Sequence, residues 1–147
     1  MHKIYSLDDI AQLRESVDVE CKLAQGRDGS GHLPHDIWET YSAFANTHGG
    51  DIFLGLLELP DESYIISGIE NPSKVIDELL AGANDRKIVS HNLLEPDSIR
   101  VLTIAGKNLI HIHIPQAPAH QRPVYIGGNA KTGSYQRIHS SDMKLTS

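Results

Sequence analysis

The sequence predicts an α+β fold with a mixed, largely antiparallel sheet and two or three packing helices. Three observations lead there. Strand-like segments outnumber helix-like ones, in the order α-β-α-β-β-α-β-β-β-β. Two of the strands are joined by a tight hairpin turn, which implies antiparallel pairing. A helical stripe runs into the pair Gly49-Gly50 and then straight into an apolar strand.

The elements follow in chain order. Leu7 to Leu13 reads as a short helix, with Ser6 as N-cap and Asp8 and Asp9 favourably placed in its first turn. Val17 to Leu23 alternates strictly. Val17, Val19, Cys21 and Leu23 share one face, and Asp18, Glu20 and Lys22 the other, as in a half-buried strand. Gln25 to His32 is Gly-rich and polar, so it reads as a loop. Pro34 suits a helix start, and Ile37, Tyr41, Phe44 and Ala45 form an apolar stripe through to about Thr47, with Trp38 on its flank. Gly49 and Gly50 end that helix. Ile52 to Leu57 is apolar on both faces apart from Gly55, as in a covered central strand. Tyr64 to Ile69 is a further strand. Asn71-Pro72 starts a helix through Ala83, with Val75, Ile76, Leu79 and Leu80 expected to face the core. Ile99 to Ile104 and Leu109 to Ile114 flank the turn Ala105 to Asn108. Pro115 to Pro123 reads as loop, and Val124 to Ile126 and Ser134 to Ile138 as short strands. The last residues show no periodicity.

A chain of 147 residues fits one domain able to bury its own core. Apolar content of 39% and charged content of 22% are those of a globular protein. No run approaches the ~20 apolar residues of a membrane span, and Met1 to Ile10 lacks the apolar core of a signal peptide. The lone Cys21 cannot form an internal disulfide, so a cytoplasmic protein is expected. A net charge of −6 excludes broad, sequence-blind DNA binding by the whole surface. The charge is uneven, however. Gly31 to Glu62 holds six acids and no Lys or Arg, whereas His120 to Ser147 holds Arg122, Lys131, Arg137 and Lys144 against the single acid Asp142.

Several segments could carry chemistry. The glycines after Asn46-Thr47-His48 follow a helix instead of preceding one, and the phosphate-loop spacing and its Lys are missing, so no ATP site is expected. Glu20 and Lys22 project from one strand face, with Glu15 just before it and Glu58 at the end of the central strand. Carboxylates could hold Mg²⁺ or Mn²⁺, and a nearby ammonium could steady charge developing on a phosphate; the competing reading is a solvated ion pair. His111-x-His113 places two imidazoles on one strand face, but no third ligand at convincing spacing follows, so an exposed polar face is expected. Lys131, Tyr135 and Arg137 are the candidate nucleic-acid contacts, two cations for phosphate and a ring for an unpaired base.

Taken in order, Glu15-Ser16, Glu20-x-Lys22, Ser42-Ala43-Phe44-Ala45-Asn46-Thr47-His48-Gly49-Gly50, Ile52-Phe53-Leu54-Gly55-Leu56, Ser67-Gly68-Ile69 and Tyr135-x-Arg137 resemble the Schlafen AlbA-type domain. In bacteria this domain is also labelled divergent AAA, and it often forms the N-terminal part of transcriptional regulators and RecG-like helicase-related proteins. The resemblance covers nearly the whole chain. It implies a single domain over 1–147, an N-terminal position in a longer protein, and DNA or RNA as partner. In the animal relatives it also implies a metal-dependent RNA-cleaving site of three acids, which carry over to Glu15, Glu20 and Glu58 with Mg²⁺ or Mn²⁺. This chain has Glu58 where the family has Asp, Cys21 where it has an aromatic, and His139 where it has Gly. Three functions follow as expectations: a nucleic-acid-binding module, a metal-dependent ribonuclease, and a protein-interaction or homo-oligomerisation module.

Overall fold

The computed structural model describes residues 3–24 and 31–145, so positions 25–30 of the expected loop lie outside the described residues. Helix α1 spans Leu7–Arg14. Ser6 caps it through a reciprocal capping box with Asp9, which satisfies two otherwise orphaned backbone donors. Strand β1 (Val19–Lys22) is followed by α2 (Ile37–Asn46), β2 (Gly50–Leu54), β3 (Leu56–Glu58), β4 (Tyr64–Ile66) and α3 (Pro72–Ala83). Then come β5 (Ile99–Ile104), β6 (Lys107–Ile114), the short α4 (Ala130–Gly133), β7 (Tyr135–Ile138) and β8 (Ser141–Lys144).

The central sheet has the order β1-β2-β6-β5, with β1 parallel to β2 and the other pairs antiparallel. Two small antiparallel ladders, β3–β4 and β7–β8, complete an α+β architecture of the predicted class. Every residue of β2 is buried because both sheet faces are covered. On one face Ile52 and Leu54 of β2 and Ile110, Ile112 and Ile114 of β6 pack on Ile37, Tyr41 and Phe44 of α2 and on Val75 and Leu79 of α3. On the other, Val19, Phe53 and Leu109 pack on Ile10 and Leu13 of α1 and on Leu56 of β3. Burying each such side chain is worth about 1.5–3 kcal/mol.

Five details differ from the sequence expectation. The second helix begins at Ile37, not Pro34, because Pro34 sits in a preceding turn whose carbonyl accepts from Ile37 N–H. The apolar run Ile52 to Leu57 is split. Gly55, at φ +91°, turns the chain out of the central sheet, and its carbonyl accepts the N–H groups of both Ser67 and Gly68, so Leu56–Glu58 pairs with β4 instead. Leu80 points outward on α3 and is 40% exposed. Val124 to Ile126 makes only isolated bridges, from Tyr125 to Ser134 and from Ile126 to Val89. The unpatterned Ser141–Lys144 is a strand, paired with β7. The β5–β6 hairpin closes through Ala105 and Gly106, both at positive φ, as a two-residue turn of this twist requires.

Candidate functional site

The segment Thr40 to Thr47 of α2 is an internal clamp. Ser42 Oγ donates to Val124 O at 2.7 Å and accepts from Tyr135 N–H at 3.0 Å. The Asn46 amide is used at both ends. Its Oδ1 accepts from Val124 N–H at 2.7 Å, and its Nδ2 donates to the carbonyls of Val124 and Tyr135, each at 2.9 Å. Thr47 Oγ1 accepts from Arg137 N–H at 2.8 Å. Ser42, Asn46 and Thr47 therefore hold the 124 segment and β7 against the helix through backbone groups, whatever side chains those carry. The two glycines serve packing as well. A Cβ on Gly50 would lie 2.6 Å from the Phe44 ring, and one on Gly49, at φ +73°, would lie 2.8 Å from Ile114 O.

Arg137 finishes the clamp, and here the sequence expectation needs correcting. Its side chain is 2% exposed and is not available to a phosphate. The guanidinium donates to Asp142 Oδ1 at 2.6 Å and to Glu20 Oε1 at 3.2 Å, and lies over the Phe44 ring at 5.0 Å. Thr40 Oγ1 donates to the other Asp142 oxygen. Among the described residues Arg137 Nε is buried without a partner, and the face of Phe44 offers the guanidinium partial compensation.

The acids proposed as a metal site are dispersed. Glu20 meets Arg137 on the α2 face of the sheet. Glu58, at the end of β3, accepts from Arg14 on the opposite face, where Arg14 also contacts Cys21 Sγ at 3.9 Å. Glu15 is exposed at the C-cap of α1. Lys22 Nζ pairs with Asp36 Oδ2 at 3.2 Å, at the N-cap of α2. Among the described residues no three His, Cys, Asp or Glu side chains are disposed to hold a metal ion, so Glu15, Glu20 and Glu58 do not fit the Mg²⁺ or Mn²⁺ site that the resemblance implies. Cys21 is no ready nucleophile either, since burial pushes its thiol up to about 12.

The histidine pair also differs from expectation. His111 is fully buried, not on an exposed polar face, and stacks on Phe53 with ring centroids 4.4 Å apart. Its Nε2 lies 2.8 Å from Asp51 Oδ1, and His113 Nδ1 lies 3.3 Å from the same oxygen. Burial alone would raise the Asp51 pKa, but hydrogen bonds from the two imidazoles outweigh it and hold the carboxyl at about 2. The hydrogen bond to Asp51 raises the His113 pKa against a smaller opposing effect of burial. His111 Nδ1 is buried without a partner among the described residues. Asp51 was legible in principle: it is a lone acid between Gly50 and an apolar run, opposite a His-x-His strand.

The C-terminal cations separate into two kinds. Arg137 is internal, whereas Arg122, Lys131 and Lys144 are exposed and form no ion pair among the described residues. Asp142, the only acid after His120, is taken up by Arg137 and Thr40. Tyr135 is half-buried opposite Lys144, and its phenol pKa is raised by burial and then by Glu39 and Asp142. Lys131 sits on α4, whose start Asn129 caps.

An α+β domain whose central helix ends in a Gly-Gly junction and clamps a cationic terminal hairpin defines a recognisable class. The chain belongs to the Schlafen AlbA_2 family, whose model matches residues 15–146. The structure is similar to the solution structure of the N-terminal domain of a RecG-related protein from Nitrosomonas europaea, named for an ATP-dependent DNA helicase. The identity is 27% over 95% of this chain and 90% of that one, with a TM-score of 0.63. It also shares its fold with the DIP2311 protein of Corynebacterium diphtheriae, at 17% identity and a TM-score of 0.62; that match covers 90% of this chain but only 22% of the other. No curated protein matches. Among the described residues no helix is long and apolar enough to cross a membrane.

Proposed function

We propose that this chain is the nucleic-acid-binding domain of a larger regulator or helicase-related protein, and that it meets DNA or RNA through the surface after Pro118. One observation carries this reading: Arg122, Lys131 and Lys144 are exposed and unpaired among the described residues, while the single acid of that stretch is neutralised internally. In a chain of net charge −6, three exposed cations on one stretch of sequence favour the approach of a polyanion there. Tyr135, half-buried opposite Lys144 in the same hairpin, supports the reading as a ring next to one of the cations. Membership of the AlbA_2 family and likeness to an N-terminal domain of a helicase-related protein support the same reading.

The test is equilibrium binding of labelled single-stranded DNA, RNA and duplex DNA across a salt series. Binding that weakens with salt, and that weakens further in Lys131→Ala and Lys144→Ala, is the expected result. Equal affinity in both variants and the parent would reject this surface.

A further inference from the structure

A cleft of about 380 Å³ opens beside Arg122, lined by Asn46, Ala119, Arg122, Pro123 and Leu145. Among the described residues it carries no carboxylate. Four other clefts, of 230 to 380 Å³, each carry at least one: Glu15, Asp18 and Asp51 in the first, Glu70, Asp9, and Glu78 with Asp85 in the others. Among the described residues Arg122 is thus the one formally charged group of the lining. Lys144 is tied to the same place by the backbone, and Lys131 lies in the helix that ends just before Ser134. Leu145 follows Lys144 directly, and its N–H donates to Ser134 O at 2.8 Å, which seats it beside the end of the helix that bears Lys131.

The remaining lining has two parts. Ala119, Pro123 and Leu145 are apolar, and a bare phosphate gains nothing from such walls. Asn46 is polar but held rigidly by Val124 at both ends of its amide. An open hollow with Ala119, Pro123 and Leu145 on its surface and a cation in its lining fits one face of a flat heterocycle attached to a phosphate. A base inside a duplex is stacked and paired on both sides and cannot enter.

The geometry points to this cleft as the seat of one unpaired nucleotide of a single strand, with its base against Ala119, Pro123 and Leu145 and a flanking phosphate on Arg122. Lys144, next to Leu145 in the chain, then offers a second cation to the strand. The assignment rests on the nucleic-acid reading above and adds the strandedness of the ligand and the place of one base.

The test uses the whole chain and fluorescence anisotropy with four probes: a twelve-nucleotide single strand as DNA and as RNA, the matching DNA duplex, and a single strand of abasic sites. Ala119→Trp fills the cleft at an exposed position without altering charge, and a thermal melt checks that the variant folds. The expected result is a single strand bound tighter than the duplex, about tenfold weaker binding of that strand by Ala119→Trp, and no change for the abasic strand. Leu145→Ala removes one wall and gives a smaller loss in the same direction, which keeps the test decisive should the tryptophan variant misfold. Arg122→Ala weakens the normal and the abasic strand alike. If Ala119→Trp and Leu145→Ala bind the normal strand as the parent does while Arg122→Ala does not, the base seat is overturned and nucleic-acid binding stands. If no probe binds the parent, both readings fall together. Competition by a free mononucleotide at strand-like concentration overturns the strand in favour of a nucleotide ligand.

Discussion

The two faces of the central sheet each bury a charge, and they stabilise it differently. On the α2 face the charge is the Arg137 cation, ringed by Asp142, Glu20 and the Phe44 ring. On the α1 face it is the Asp51 anion, bridged by two imidazoles. The first centre joins elements distant in sequence, β7 and β1, to the family's marker helix. The second joins the neighbouring strands β2 and β6, which are already hydrogen-bonded in register. A guanidinium keeps its charge wherever proteins are folded, whereas imidazole changes charge near neutrality. One centre is therefore a permanent fastening and the other a pH-dependent one.

Removing the permanent fastening gives the largest expected effect. Arg137→Ala leaves Asp142 and Glu20 without their cation and is expected to cost about 3 kcal/mol, read as a lower denaturation midpoint at unchanged m-value. Loss of nucleic-acid binding in this variant would follow from an undocked hairpin and not from a lost phosphate contact. Parent-like stability would contradict the burial described. Next is Asn46→Ala, which strips partners from Val124 N–H and from the Tyr135 carbonyl. About 2 kcal/mol is expected, with increased amide exchange in the 124–138 segment as the local signature.

The pH-dependent centre gives a smaller effect, below about 1 kcal/mol because His113 is well exposed to solvent. The His113 pKa is raised in the fold, so its contribution is complete below its ordinary value near 6.5 and is lost as pH rises through the folded value. Asp51 is depressed to about 2, so its contribution is present above the ordinary carboxylate value and is lost as pH falls through about 2. Denaturation at pH 5.5 and 8.5 should show a loss of stability at the higher pH that His113→Ala abolishes. An identical pH difference in the variant would remove His113 from the account.

The same contrast explains what could be read from the sequence. Local signals were legible: the Ser6 N-cap, Asn71-Pro72 at the start of α3, and the β5–β6 turn are each specified by residues a few positions apart. The exit of the chain at Gly55 was not, because an apolar run reads as one strand until β4 competes for its second half. Nor was the fate of Arg137, whose neighbours Glu20 and Phe44 lie 117 and 93 positions away in the chain. Tyr-x-Arg looks like a surface motif until the packing of β7 on α2 turns one side of that hairpin inward. The three acids failed to assemble for a related reason. Alternation along β1 puts Glu20 on the face opposite Cys21 and Arg14, and Arg14 is what Glu58 meets. His-x-His was correctly placed on one strand face, but whether that face was wet or dry depended on α1 and β3, which alternation does not reveal.

The proposed function entails a division of labour among the C-terminal cations: Arg137 holds the fold, and Arg122, Lys131 and Lys144 would meet nucleic acid. It is tested most directly by the salt dependence of binding to a single-stranded oligonucleotide, with the parent beside the triple variant Arg122→Ala, Lys131→Ala, Lys144→Ala. The account predicts unchanged melting of the triple variant and a slope of log K against log salt shallower by about 0.7 per removed cation, or about 2 in total. An unchanged slope, with binding intact, would contradict it.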